Sequence, residues 1–210
     1  MRIFVRLAAS ASLLLGACAS LGAIPGPCGS GPASTVCLGQ INVPPREADV
    51  FGLASQQVVD ALHSAGFEDS FARFRRDHAG SGAHAQAWTA AHDSTVPRLR
   101  RVLHGLEIET YGGISGWWVN WLYGNLAYDG TEEGPIRINR WGLPRSSASI
   151  ANTIAHEAAH RVGMSHPSYG SRTSVGLCEP PYVIGSLVEK QIVGSSWRAG
   201  ENDCALLRES

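Results

Sequence analysis

Residues 153–166 read TIAHEAAHRVGMSH, with three histidines, one glutamate and one glycine in fourteen positions. Spacing predicts a helix over about 147–162. At 100° per residue and with His156 at zero, Ser149, Asn152, Thr153 and His160 fall between about −40° and +60°. Ile150, Ala151, Ile154, Ala155, Ala158 and Val162 fall between about 120° and 260°, an apolar arc interrupted only by Arg161. Histidines that merely fill a core belong on the apolar arc. These two lie on the small, polar one.

Imidazoles at i and i+4 stand one turn apart on one face and can give nitrogens to a single ion. Glu157 is rotated about 100° from His156, beside the ligand line but off it, where it can serve a water. A third ligand has to come from elsewhere. Gly163, just past the expected helix end, suits the left-handed conformation that reverses a chain, and such a turn brings His166 back toward the other two. A likeness to gluzincin-like peptidases, which take the third ligand as a glutamate from a later helix, would instead imply Glu179 or Glu189.

HEAAHRVGMSH (156–166) resembles the metzincin pattern HExxHxxGxxH at all five fixed positions. The likeness covers about residues 106–195 and is concentrated in these eleven. The resemblance implies a zinc endopeptidase with one zinc per chain, ligands His156, His160 and His166, and Glu157 as general base. It also implies extended peptide or protein substrate pairing with an edge strand ahead of the helix, a role in which GPIRINR (134–140) is expected. The chain departs from the family in one respect. Metzincins carry a methionine turn downstream of the third histidine, whereas the two methionines here are Met1 and Met164, and SVGLCEPPYVIG occupies that region. Some metzincins stabilise the oxyanion with a tyrosine; Tyr169 and Tyr182 both qualify by position.

The first residues point to export. Arg2 and Arg6 precede an apolar run ending in Leu15-Gly16-Ala17-Cys18, too short to span a bilayer as a permanent helix. LGAC resembles a bacterial lipobox, which implies removal of residues 1–17, lipid attachment at Cys18 and a bacterial cell-envelope location. Ala19 rather than aspartate after that cysteine favours the outer membrane. Cys28, Cys37, Cys178 and Cys204 remain, an even number suited to disulfides in an exported protein. The economical pairing is Cys28–Cys37, closing a small loop, and Cys178–Cys204, pinning the tail to the body.

Composition divides the rest. Residues 18–47 are rich in Gly, Pro, Ser and Ala and read as a tether; residues 48–210 read as the domain. SQQVVDALHSAGF (55–67) has helical spacing and should stop at Gly66. DSFARFRRDH (69–78) and STVPRLRRVL (94–103) are further short helices. LEIETYGG (106–113) and GPIRINR alternate as half-buried strands, and PPYVIGSLVEKQI (180–192) is a last helix. This order gives an α+β class: a small zincin-like domain, a mixed sheet with an active-site helix and a C-terminal helix, and a cleft between two lobes. Trp117, Trp118, Trp121, Tyr123 and Tyr128 read as core packing. Formal charge is −1 and charged residues make up 17% of the chain, so RFRR and RLRR read as solvated helix faces and nucleic acid is not an expected partner.

Together these readings describe a zinc-dependent endopeptidase held to the envelope by an N-terminal lipid. Two alternatives keep the same residues: a non-catalytic envelope lipoprotein whose metal site is structural or vestigial, and a zinc amidase acting on cell-wall peptides. Oligomeric state is not encoded in any feature of the sequence.

Overall fold

In the computed structural model the described residues are 22–28, 37–78, 85, 87–114, 116–118, 127–128, 134–142, 145–166, 176–200 and 203–208. Short alternating segments build one sheet of five strands: β1 (Gly22–Pro25), β2 (Gln40–Val43), β3 (Ile108–Tyr111), β4 (Ala127–Tyr128) and β5 (Ile136–Asn139). Their order is β1-β2-β3-β5-β4. β2, β3 and β5 are parallel, and β1 and β4 run antiparallel along the two edges. Ile41, Val43, Ile108, Thr110, Ile136 and Ile138 are buried on one face. Gln40 and Arg137 are exposed on the other, where Glu109 and Arg137 face each other across β3 and β5. That one-sided burial is the sheet half of an α+β fold.

Helices α1 (Ala48–His63), α2 (Ala65–His78), α3 (Thr95–Leu103), α4 (Ser147–Arg161) and α5 (Pro180–Val193) supply the rest. The apolar arc read for α4 is the buried one: Ile150, Ala151, Ile154, Ala155 and Ala158 are fully enclosed. Ser146 caps the helix, its hydroxyl accepting from the Ser149 amide. α4 packs against α1, α3 and α5. Its approach to α5 is set by Gly185, where a Cβ would stand 2.2 Å from Asn152 Oδ1. Arg161, the polar interruption in the arc, reaches out to donate to the carbonyl of Gly134, just ahead of β5.

Several expectations are corrected. The 18–47 segment is not a free tether from Gly22 onward, because β1 and β2 fall inside it and the Cys28–Cys37 disulfide closes the loop between them. A ladder of backbone bonds needs little from side chains, so Gly/Pro-rich composition hid it; the alternation in QINV was the available signal. GPIRINR is not an edge strand. As β5 it lies between β3 and β4, and the edge belongs to β4, two residues long and too short to show a period. Gly66 does not end a helix; the break falls at Ser64, whose extended backbone and hydroxyl, accepting from the Phe67 amide, start α2. Trp117 and Trp118 are not core, being 40% and 46% exposed; Trp121 and Tyr123 lie outside the described residues, as does the side chain of Tyr128. The second expected disulfide, Cys178–Cys204, is present.

Candidate metal centre

Helix α4 presents His156 and His160 from successive turns, and the chain then turns back. Gly163 takes φ +90°, and the amide of Met164 donates to the carbonyl of Ala159. A residue with a side chain is strained at that φ, which is why glycine stands here. The turn delivers His166 to the same face. One ligand-capable atom from each of His156, His160 and His166 lies within 4.8 Å of the other two, the single such cluster among the described residues.

The hydrogen bonds fix which nitrogens face inward. His160 Nδ1 is 2.8 Å from the carbonyl oxygen of Met164, which can only accept, so Nδ1 carries the proton and Nε2 keeps its lone pair. His166 Nδ1 lies 3.0 Å from Glu179 Oε2 and donates to it, freeing Nε2 in the same way. His166 Nε2 and His156 Nε2 are 3.1 Å apart. Two imidazole nitrogens on a tetrahedral ion at about 2.0–2.1 Å would be separated by about 3.3 Å, so the spacing of that pair suits a shared metal ion.

Electrostatics favour the ligand form. Burial, then the neighbouring His166 and His160, pushes His156 well below the usual imidazole range. Burial and His160 lower His166 too, against the opposing bond and charge of Glu179. Neutral imidazole is the form that donates to a metal. Glu157 is buried, 7% exposed, on the flank of the same helix. The ring of Tyr182, from α5, packs at 4.6 Å from that of His156 and 4.7 Å from that of His166.

The two glutamates considered as third ligands have other work. Glu179 stands behind His166 as its hydrogen-bond acceptor, and Glu189 accepts from Asn152 Nδ2 at 2.8 Å across the α4–α5 contact. Neither belongs to the metal-competent cluster. Of the tyrosines, Tyr182 lies against the histidines and Tyr169 falls outside the described residues. Arg145 was not anticipated: its Nη1 donates to Thr153 Oγ1 at 2.7 Å, one turn before His156, and burial lowers its pKa against the charge of Glu189. An arginine ahead of a helix cap carries no spacing signal that would have found it. His63 Nδ1 bonds the Val59 carbonyl one turn back and His104 Nδ1 accepts from the Cys37 amide; neither belongs to the cluster.

Comparison of the chain with protein-family models, with curated proteins and with solved structures gave no match.

Proposed function

We propose that this chain is a zinc-dependent endopeptidase of the bacterial cell envelope, zincin-like in architecture and anchored through a lipid on Cys18. The observation that carries the reading is the convergence of three imidazoles with a buried carboxylate beside them on the same helix. Hydrolysis by metal-activated water needs a proton acceptor of that kind next to the ligands.

His156, His160 and His166 would hold the zinc through Nε2. When bound, zinc supplies Lewis acidity to the scissile carbonyl and acidifies water in the site. Glu157 accepts the proton released as water attacks and returns it to the departing amine nitrogen. Glu179 and the Met164 carbonyl keep His166 and His160 in the Nδ1–H tautomer and hold their rings in place. We assign Tyr182 the hydrogen-bond donor to the oxyanion, since its ring is already packed against two of the histidines. Extended substrate would add to β4, the antiparallel edge strand that precedes α4.

Glu157→Gln separates binding from chemistry. The variant should keep its zinc and lose cleavage of unstructured peptides by a factor of at least about 10². Undiminished cleavage in Glu157→Gln, or no cleavage by zinc-loaded parent protein against a diverse peptide mixture, would sink the proposal.

A further inference from the structure

The end of the sheet opposite the metal centre has an unusual surface. The C-terminal ends of β2, β3 and β5 share that end, since Ile41 pairs with Ile108 and Tyr111 with Asn139 in parallel register. The segments leaving β3 and β5 there carry Ile114, Trp117, Trp118 and Trp141, exposed by 77%, 40%, 46% and 52%. They are four of the six exposed large hydrophobics among the described residues. At roughly 250 Å² for a whole tryptophan, they present on the order of 450 Å² of apolar surface, within the range of the largest patch on a monomer, which is often a functional one.

The patch is held rather than loose. Trp141 Nε1 donates to the Gly113 carbonyl at 2.8 Å, and buried Asn139 donates from Nδ2 to the Gly116 carbonyl at 2.8 Å while its Oδ1 accepts from the Trp141 amide. Arg140 donates from Nε and Nη2 to Glu47 Oε1, tying the turn after β2 to the turn after β5. Arg46 lies in that same turn after β2; its Nε donates to Glu47 Oε1 at 3.3 Å, and its side chain is 75% exposed.

The chain's N-terminal side emerges here as well. β1 runs antiparallel to β2 with Gly22 opposite Val43, so Gly22 sits at the patch end of the sheet. Only residues 19–21 separate it from Cys18, a reach of at most about 14 Å. β1 and β5 are three strand spacings apart, again about 14 Å. That reach equals the separation, so a lipid on Cys18 is able to enter the same bilayer face that the tryptophans meet. The histidines lie the other way. α4 begins soon after Trp141, and its last residue, Arg161, bonds Gly134 ahead of β5. His156 and His160 are thus about 14–20 Å further along that helix axis.

We propose that Ile114, Trp117, Trp118 and Trp141 seat the domain on the membrane surface to which Cys18 anchors it, with the metal centre facing away. This rests on the lipid-anchor part of the proposed function. Tryptophan suits the headgroup boundary, with an apolar ring for the acyl side and an N–H for the wet side, and Arg46 adds a cation at phosphate level.

The test uses the processed protein, extracted from cell membranes and reconstituted into phosphatidylethanolamine/phosphatidylglycerol vesicles with and without brominated acyl chains. Bromine quenches tryptophan on contact. The parent should lose up to half its emission, three of its six tryptophans being in the patch, and a W117F/W118F/W141F variant of unchanged melting temperature should lose that quenchable component. Mass spectrometry of the N-terminal peptide reports acylation independently. Acylated protein showing equal quenching in parent and variant overturns the membrane seat alone and gives the patch to another occupant, such as substrate or a protein. An unmodified Cys18 overturns the anchor and the proposal built on it.

Discussion

Glu179 tests the site more sharply than a ligand does, because two architectures predict opposite results for it. It is 3% exposed and accepts from His166 Nδ1 at 3.0 Å, in a pair whose side chains are 4% and 11% exposed. Glu179→Ala leaves that N–H without its acceptor in a dry setting and frees the ring to turn. Loss of such a supporting carboxylate costs 10–100-fold in metal affinity, or about 1.4–2.8 kcal/mol at 1.4 kcal/mol per decade. Glu179→Gln keeps an acceptor oxygen but not the charge, so it should fall between parent and Glu179→Ala. Zinc affinity is measured by competition with a chromogenic chelator at fixed pH, beside His166→Ala. If Glu179 were itself the third ligand, Glu179→Gln would abolish binding and His166→Ala would spare it. Parent-like affinity in Glu179→Ala, or that reversed order, refutes the assignment.

Three further outcomes are expected. Gly185→Ala should destabilise the fold by about 1–3 kcal/mol in denaturant titration, since its Cβ would meet Asn152 Oδ1 at 2.2 Å and the Asn152 carbonyl oxygen at 2.9 Å; at an open helical site the same change would stabilise by up to about 1 kcal/mol, so the sign decides. Replacing Cys178 and Cys204 by serine should cost about 3.5 kcal/mol from loop entropy, against about 2.6 kcal/mol for the Cys28–Cys37 pair, because the bridges span 26 and 9 residues; thermal midpoints in the reverse order would contradict this. Tyr182→Phe should lower kcat by about 10² while zinc content stays at the parent level, and an unchanged kcat removes the tyrosine from the oxyanion role.

Much of this arrangement is written in local spacing. The buried and polar arcs of α4 and the glycine turn at 163 are short-range matters, and the structure follows them. So do the alternation of β3 and the two disulfides. What spacing leaves out is long-range pairing. Nothing local says that β5 takes β4 on its outer side, that Gly22–Pro25 folds onto Gln40–Val43, or that Trp117, Trp118 and Trp141 face outward. The supporting groups share that fate: Glu179 lies thirteen residues from His166 and meets it only because the short 3-10 turn Gly176–Cys178 and α5 return the chain to α4. Its carboxylate looked equally like a ligand until the distance to Nδ1 was known.

The central claim is that His156, His160 and His166 share one ion. Zinc content of the purified full chain by mass spectrometry, compared with His166→Ala and His156→Ala, tests it most directly. One zinc per chain in the parent, with sharply weakened binding in both variants, is the predicted result. Folded parent protein that retains no zinc after zinc is supplied, or a His166→Ala variant that holds it as tightly as the parent, would contradict the claim.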